Sequence, residues 1–301
     1  MRRPVPLLLF VIACASTGRV SDPLLELPYV WASAGQVELL TCRWSGDAPV
    51  GVALASDASA SEEHVLDAVL ASLADAAPGL RFLRVQGVGG ASITVRFVDA
   101  AVPRADGTLG TSRSVTDCQL GASGAHAALV EASIELARST PPDRGGRTRP
   151  LAPEELAAAL LAELGQALGV AGRAEDPDDP LAAAPDAALR AGRRALAGEP
   201  VVSASLAALY ARPSGAVLAR RPVDPARTQE IDRLAVLAVA HGLDGPRLRA
   251  SDTGGRIFWR DAAGREWGFL VPNLARLSRD PSTLLLVPEA ATRAALPRRA
   301  R

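Results

Sequence analysis

A chain of 301 residues with 48% apolar residues can bury a substantial core, as one large domain or two unequal ones. Its 33 basic and 33 acidic residues cancel to a formal net charge of +0, which gives no global field for nucleic acid or other anionic partners. Every basic residue is Arg, and Ala is used heavily throughout.

In chain order, residues 1–13 read as a signal peptide. Arg2 and Arg3 precede the apolar run Pro4 to Ile12, which is too short to span a bilayer as a helix. The run ends in Val11-Ile12-Ala13-Cys14, which resembles a bacterial lipobox. That resemblance implies cleavage before Cys14 and acylation of its sulfur and new amine. Several acyl chains anchor stably where one binds only marginally. The expected location is the bacterial cell envelope, exported and lipid-anchored to the membrane. Residues 14–36 read as a tether ending in the apolar stretch Tyr29-Val30-Trp31. Cys42 and Cys118 remain in the mature chain. An oxidising compartment makes a disulfide between them one reading, and two separate buried thiols the other.

From Val50 to Ala55 a short apolar run predicts a strand. A helix follows, with Ser59 or Ser61 able to cap it, Ser59 and Glu62 spaced as a capping box, and Val65, Leu66, Val69, Leu70 and Leu73 forming one stripe. Leu80 to Val85 predicts a strand. Ile93, Val95 and Phe97 alternate with Thr94 and Arg96 as another. Leu109 to Val115 fits a more polar edge strand, and Ala127 to Leu136 a further one. Arg138 to Pro150 is a solvated loop. Pro153 to Leu168 predicts a helix whose buried stripe is Leu156, Leu160, Leu164 and Leu168. Glu155, Ala159, Ala162 and Gln166 then share the opposite face. An acidic, proline-interrupted loop (Glu175 to Pro180) leads towards a helix over Ser203 to Arg212. From residue 222 the pattern restarts as a small α+β appendage. It consists of a helix over Thr228 to His241, a hairpin around Asp261-Ala262-Ala263-Gly264, and a possible strand at Leu284 to Val287.

The segment Ala162-Glu163-Leu164-Gly165-Gln166-Ala167-Leu168-Gly169 resembles the His-Glu-Leu-Gly-His-Ala-Leu-Gly core of a matrixin-type metzincin, a zinc metallopeptidase family, with both histidines replaced. Other stretches carry the same likeness. Asp106-Gly107-Thr108-Leu109-Gly110 resembles the approach to the strand that aligns peptides in matrixins, and Ala132 to Leu136 the strand before the active-site helix. Gly172-Arg173-Ala174 with Asp176 to Leu181 is similar to the bacterial form of the third-histidine and Met-turn region. Ser205 to Tyr210 resembles the closing helix. The resemblance covers roughly Gly51 to Arg212, within an expected domain of residues 37–221, followed by the appendage at 222–301. It implies an α+β fold with a twisted mixed sheet and an active-site-type helix.

The resemblance also places the zinc-ligand positions at Ala162, Gln166 and Arg173, the general-base position at Glu163 and the Met-turn position at Leu181. A catalytic zinc needs about three protein lone-pair donors. A methyl donates none, an amide oxygen is a poor donor beside imidazole, and a guanidinium repels the ion. Without zinc to acidify a bound water, Glu163 alone does not generate hydroxide for peptide hydrolysis. Arg173 pairing with Glu163 is one expectation for the vacated site, and two solvated side chains the other. His64, His126 and His241 fall in three different elements, and the acidic loop lacks an EF-hand pattern. The expectation is a pseudoenzyme lipoprotein with no cofactor, anchored through Cys14, whose cleft docks a peptide or protein and no nucleic acid. The alternative is a zinc-dependent endopeptidase retaining activity through an unconventional metal site.

Overall fold

In a computed structural model the described residues are 29–74, 76–77, 79–87, 89–103, 109–121, 127–170, 179–181, 185–251, 254–277 and 280–296. The signal peptide, Cys14, Asp106 to Thr108, His126, Gly172, Arg173, Ala174 to Asp178 and the C-terminal Arg298 to Arg301 lie outside them.

The chain opens with a hairpin, β1 (Tyr29–Ser33) and β2 (Gln36–Leu40), closed by Ala34 and Gly35, both at positive φ. The tether expected to run to residue 36 therefore does not include this stretch. Tyr29, Val30 and Ala32 are buried, because the alternating apolar side chains find a core to face. Next come β3 (Val50–Leu54), α1 (Ala60–Leu73), β4 (Phe82–Val85), β5 (Ile93–Val98), the short β6 (Val102–Pro103) and β7 (Leu109–Gly110), β8 (Ser112–Leu120) and β9 (Ala127–Ala137). Helix α1 starts on the expected capping box. The Ser59 hydroxyl accepts from Glu62 N–H, the Glu62 carboxylate accepts from Ser59 N–H, and the predicted apolar stripe is buried. Six strands, not the four expected, separate α1 from α2 (Pro153–Ala167), the additional ones being the two-residue β6 and β7. Then follow α3 (Pro185–Leu196), α4 (Ala204–Tyr210), β10 (Val217–Pro222), α5 (Pro225–Ala240), β11 (Arg247–Ser251), β12 (Gly254–Arg260), β13 (Glu266–Val271), α6 (Leu274–Leu277), β14 (Val287–Pro288) and α7 (Ala290–Ala295).

The fold is mixed α+β. Among the described residues its largest sheet has nine strands in the order β14-β13-β12-β11-β8-β9-β5-β3-β4. The strands β4, β3, β5 and β9 run parallel to one another, and β8 turns antiparallel against β9. β8 is not an edge. Its residues Val115 to Gln119 pair with β11, and β12 to β14 continue the sheet beyond. The boundary expected at residue 222 thus falls within a continuous arrangement: the C-terminal α+β segment extends the sheet instead of standing beside it. A second sheet of order β1-β2-β10 pairs the N-terminal hairpin with residues 217–222.

Helices α1, α2 and α3 pack on one another, and α2 lies against β8 and β9. Leu160, Leu161, Leu164 and Leu168 are fully buried there, each contributing about 1.5–3 kcal/mol of transfer free energy. Two glycines bring neighbours close to α2. A Cβ on Gly192 of α3 would sit 2.5 Å from the Glu154 carbonyl oxygen and 2.9 Å from Ala158 N, so the two helix backbones touch. A Cβ on Gly165 would sit 2.3 Å from Leu181 Cδ2.

The opposite face of the sheet carries charge. Arg249 clasps Asp117 in a bidentate pair at 2.6 and 2.7 Å. Arg260 pairs with Glu266, and Arg256 bridges Glu266 and Glu289. The guanidinium carbons of Arg249 and Arg256 lie 4.7 and 4.4 Å from the centroid of the Phe258 ring, covering an apolar side chain that would otherwise meet water. Burial pushes the Glu266 carboxyl upward, but the hydrogen bonds from Arg256 and Arg260 outweigh it and hold the group down at about 2.

Candidate functional site

Helix α2 and strand β8 build the site. The face of α2 predicted to turn away from the core is half-buried at Glu155, Ala159, Ala162 and Gln166, as its spacing requires. On β8, alternation sends Ser112, Ser114 and Thr116 to one side, towards α2 and β1. The Ser112 hydroxyl donates to Glu163 Oε1 at 2.7 Å, and the Ser114 hydroxyl donates to Gln166 Oε1 at 2.8 Å. Two residues on a strand span about 6.6 Å and three on a helix rise about 4.5 Å, a difference that flexible side chains bridge, so the pairs form two rungs. Thr116 continues the row with a 2.6 Å hydrogen bond to the Tyr29 hydroxyl. That hydroxyl is fully buried, and burial drives its ionisation far upward.

The C-terminal end of α2 is fixed by the segment after β2. Cys42 and Cys118 form the disulfide, so of the two sequence readings the bonded one is observed. The Trp44 indole N–H donates to Ala167 carbonyl oxygen at 2.8 Å, and Leu129 N–H donates to Arg43 carbonyl oxygen at 3.2 Å. Gly169 ends the helix at φ +105°, and a Cβ there would lie 2.0 Å from the Cys42 carbonyl oxygen.

The structure brings Ala162, Glu163, Gln166 and Leu181 together around one stretch of α2, with Leu181 against Gly165. The position at Arg173 lies outside the described residues, and with it the expected pairing to Glu163. His64 is exposed just past the first turn of α1. His241 caps the end of α5 and meets the Trp267 ring edge-on at 6.2 Å. Of the acidic loop, Asp179 is buried and acts as a cap: it accepts from Leu181 N–H, Ser205 N–H and the Ser203 hydroxyl at the start of α4. Its carboxylate is thereby occupied by the protein. Among the described residues no three His, Cys, Asp or Glu side chains are grouped to hold a metal ion. Nor is any helix among them long and apolar enough to cross a membrane.

Ser112 and Ser114 escape the sequence reading, although the alternation Ser112-x-Ser114-x-Thr116 was a visible sign of a polar strand face. What hides them is that a Ser on a strand reads as solvent-facing until the helix opposite is known. The edge strand expected at Leu109 to Val115 keeps only a short open flank. The ladder with β11 stops at Val115, so Ser112 to Ser114 have no strand on that side among the described residues. Compared with known proteins, the chain matches no family model and no curated protein sequence.

Proposed function

We propose that the chain is a non-catalytic binding protein built on a matrixin-like scaffold and held at a bacterial envelope membrane through Cys14. The observation that carries this reading is the bonding of α2 to β8. Where a zinc peptidase would aim imidazoles outward, Ala162 offers a methyl, and the Gln166 oxygen accepts from Ser114. Glu163, at the general-base position, accepts from Ser112. A carboxylate held by a neighbouring hydroxyl orients a helix against a strand, and the methyl of Ala162 and the engaged amide of Gln166 offer no imidazole beside it. Leu181 packs against Gly165 at the Met-turn position, which supports retention of the scaffold's packing without its chemistry.

The docking surface in this reading is the open flank of β8 at Ser112 to Ser114, beside the half-buried Ala159, Ala162 and Gln166. An extended peptide adding there would gain backbone hydrogen bonds over about three residues. Exposed Leu109 lies at one end of this stretch. Restoring histidines tests the scaffold. The variant Ala162→His, Gln166→His, Arg173→His is expected to bind zinc near one equivalent, removable by a chelator, while the unaltered protein binds none and leaves peptides intact. Zinc at one equivalent in the unaltered protein, with peptidase activity lost on chelation, would establish the endopeptidase reading instead. Failure of the triple variant to take zinc would show that the three positions do not converge.

A further inference from the structure

We propose that the Cys42–Cys118 disulfide is a redox-sensitive clamp that sets the spacing between α2 and β8, so that the candidate site is assembled only under oxidising conditions. The inference concerns the geometry of the site, whatever the site binds, and so stands or falls apart from the proposed function. Three observations meet at this bond. Cys118 belongs to β8, the strand whose Ser112 and Ser114 hold Glu163 and Gln166. It sits at the register shift between Asp117 and Cys118, where the ladder to β9 is interrupted, while Leu248 of β11 pairs with it on the other side. Cys42 places its carbonyl oxygen against Gly169 at the end of α2, and its neighbour Trp44 hydrogen-bonds Ala167. The bond therefore ties the strand side of the site to the segment that seats the helix side, across 76 residues of sequence.

Both sulfurs are fully buried, so reduction proceeds from a locally opened state. A dithiol thiolate attacks one sulfur and forms a mixed disulfide. Its second thiol then closes on the first. Two electrons and two protons end on Cys42 and Cys118 as thiols, and the reductant leaves as a cyclic disulfide.

The test is hydrogen exchange on the full chain in three states: oxidised, dithiol-treated with the freed thiols alkylated, and carrying Cys42→Ala with Cys118→Ala. The expected result is about tenfold or greater loss of protection in 112–118 and 161–169. Protection in α5 and in β12 and β13 should stay within about twofold of the oxidised protein. Serine replacement separates clamp from rung: Ser114→Ala in the oxidised protein should leave protection at 167–169 unchanged. Equal loss of protection everywhere, failure of both reduced forms to fold, or no change at α2 and β8 would each overturn the proposal. The first two would show that the bond acts only on the unfolded chain.

Discussion

The ion pairs of this protein are unequal, and burial decides which of them matter. Asp117 has a side chain only 3% exposed and takes both its hydrogen bonds from Arg249. Removing the carboxylate leaves the Arg249 guanidinium over Phe258 with Glu266 at 3.4 Å as its remaining partner, and Asp117→Ala is expected to cost about 1.5–3 kcal/mol in urea unfolding. The Arg194–Glu199 pair, 52% and 57% exposed, is the contrast: Glu199→Gln should change stability by less than about 0.5 kcal/mol. Ser112→Ala lies close to the first of these. It removes a donor from the buried Glu163, and a loss of about 1–3 kcal/mol is expected, larger than for Ser114→Ala, whose partner is neutral and half-buried.

Elements meet where side chains are smallest. Helix α3 is hard to find in the sequence because its buried stripe is Ala187, Ala191 and Ala195 with Gly192, and only Leu189 and Leu196, two turns apart, are large apolar residues. The same small residues let it approach α2 to backbone contact. Gly192→Ala must push against the Glu154 carbonyl and the Ala158 amide, neither of which can rotate away, and should cost about 3 kcal/mol. Gly165→Ala meets only the movable end of Leu181 and should cost about 1 kcal/mol. Thermal midpoints should fall in that order, by about 2–4 °C per kcal/mol in a chain of this size. Equal midpoints would mean that α2 and α3 slide apart freely. Strands β10 and β11 are hidden for another reason. In Arg247-Leu248-Arg249-Ala250-Ser251 only Leu248 is a strong apolar signal, since the alternate residues serve the ionic face.

Across the whole molecule, acid stability should follow the arginine-held carboxylates. Glu266 and Glu155 are both held near 2, the first by Arg256 and Arg260 against the upward push of burial, the second by Arg149. A carboxyl lowered on folding stabilises the folded state fully above its ordinary value of 4.5, and the contribution disappears as pH falls towards 2. Glu266 is partly solvated and Glu155 more so, so solvent screening reduces both effects. The stability gap between the unaltered protein and Glu266→Gln should accordingly narrow as pH falls from 4.5 to 2 in urea titrations at several pH values. A gap constant over that range would show that Glu266 is not coupled to its arginines in the folded state.

The sequence by itself determined the helices with large apolar stripes, the capping box at Ser59 and Glu62, the central strands around Ile93 to Phe97 and Ala127 to Leu136, and the half-buried face of α2. These follow from local periodicity, which a chain carries whatever surrounds it. Tertiary structure alone decided that Tyr29 to Ser33 is a strand and not a tether, that β8 lies inside a sheet extended by β11, and that two serines meet Glu163 and Gln166. The serines lie 51 and 52 residues from Glu163 and Gln166, and β8 lies 128 to 136 residues from β11; even the 3 to 11 residues between β1 and β2 leave no period that names a partner.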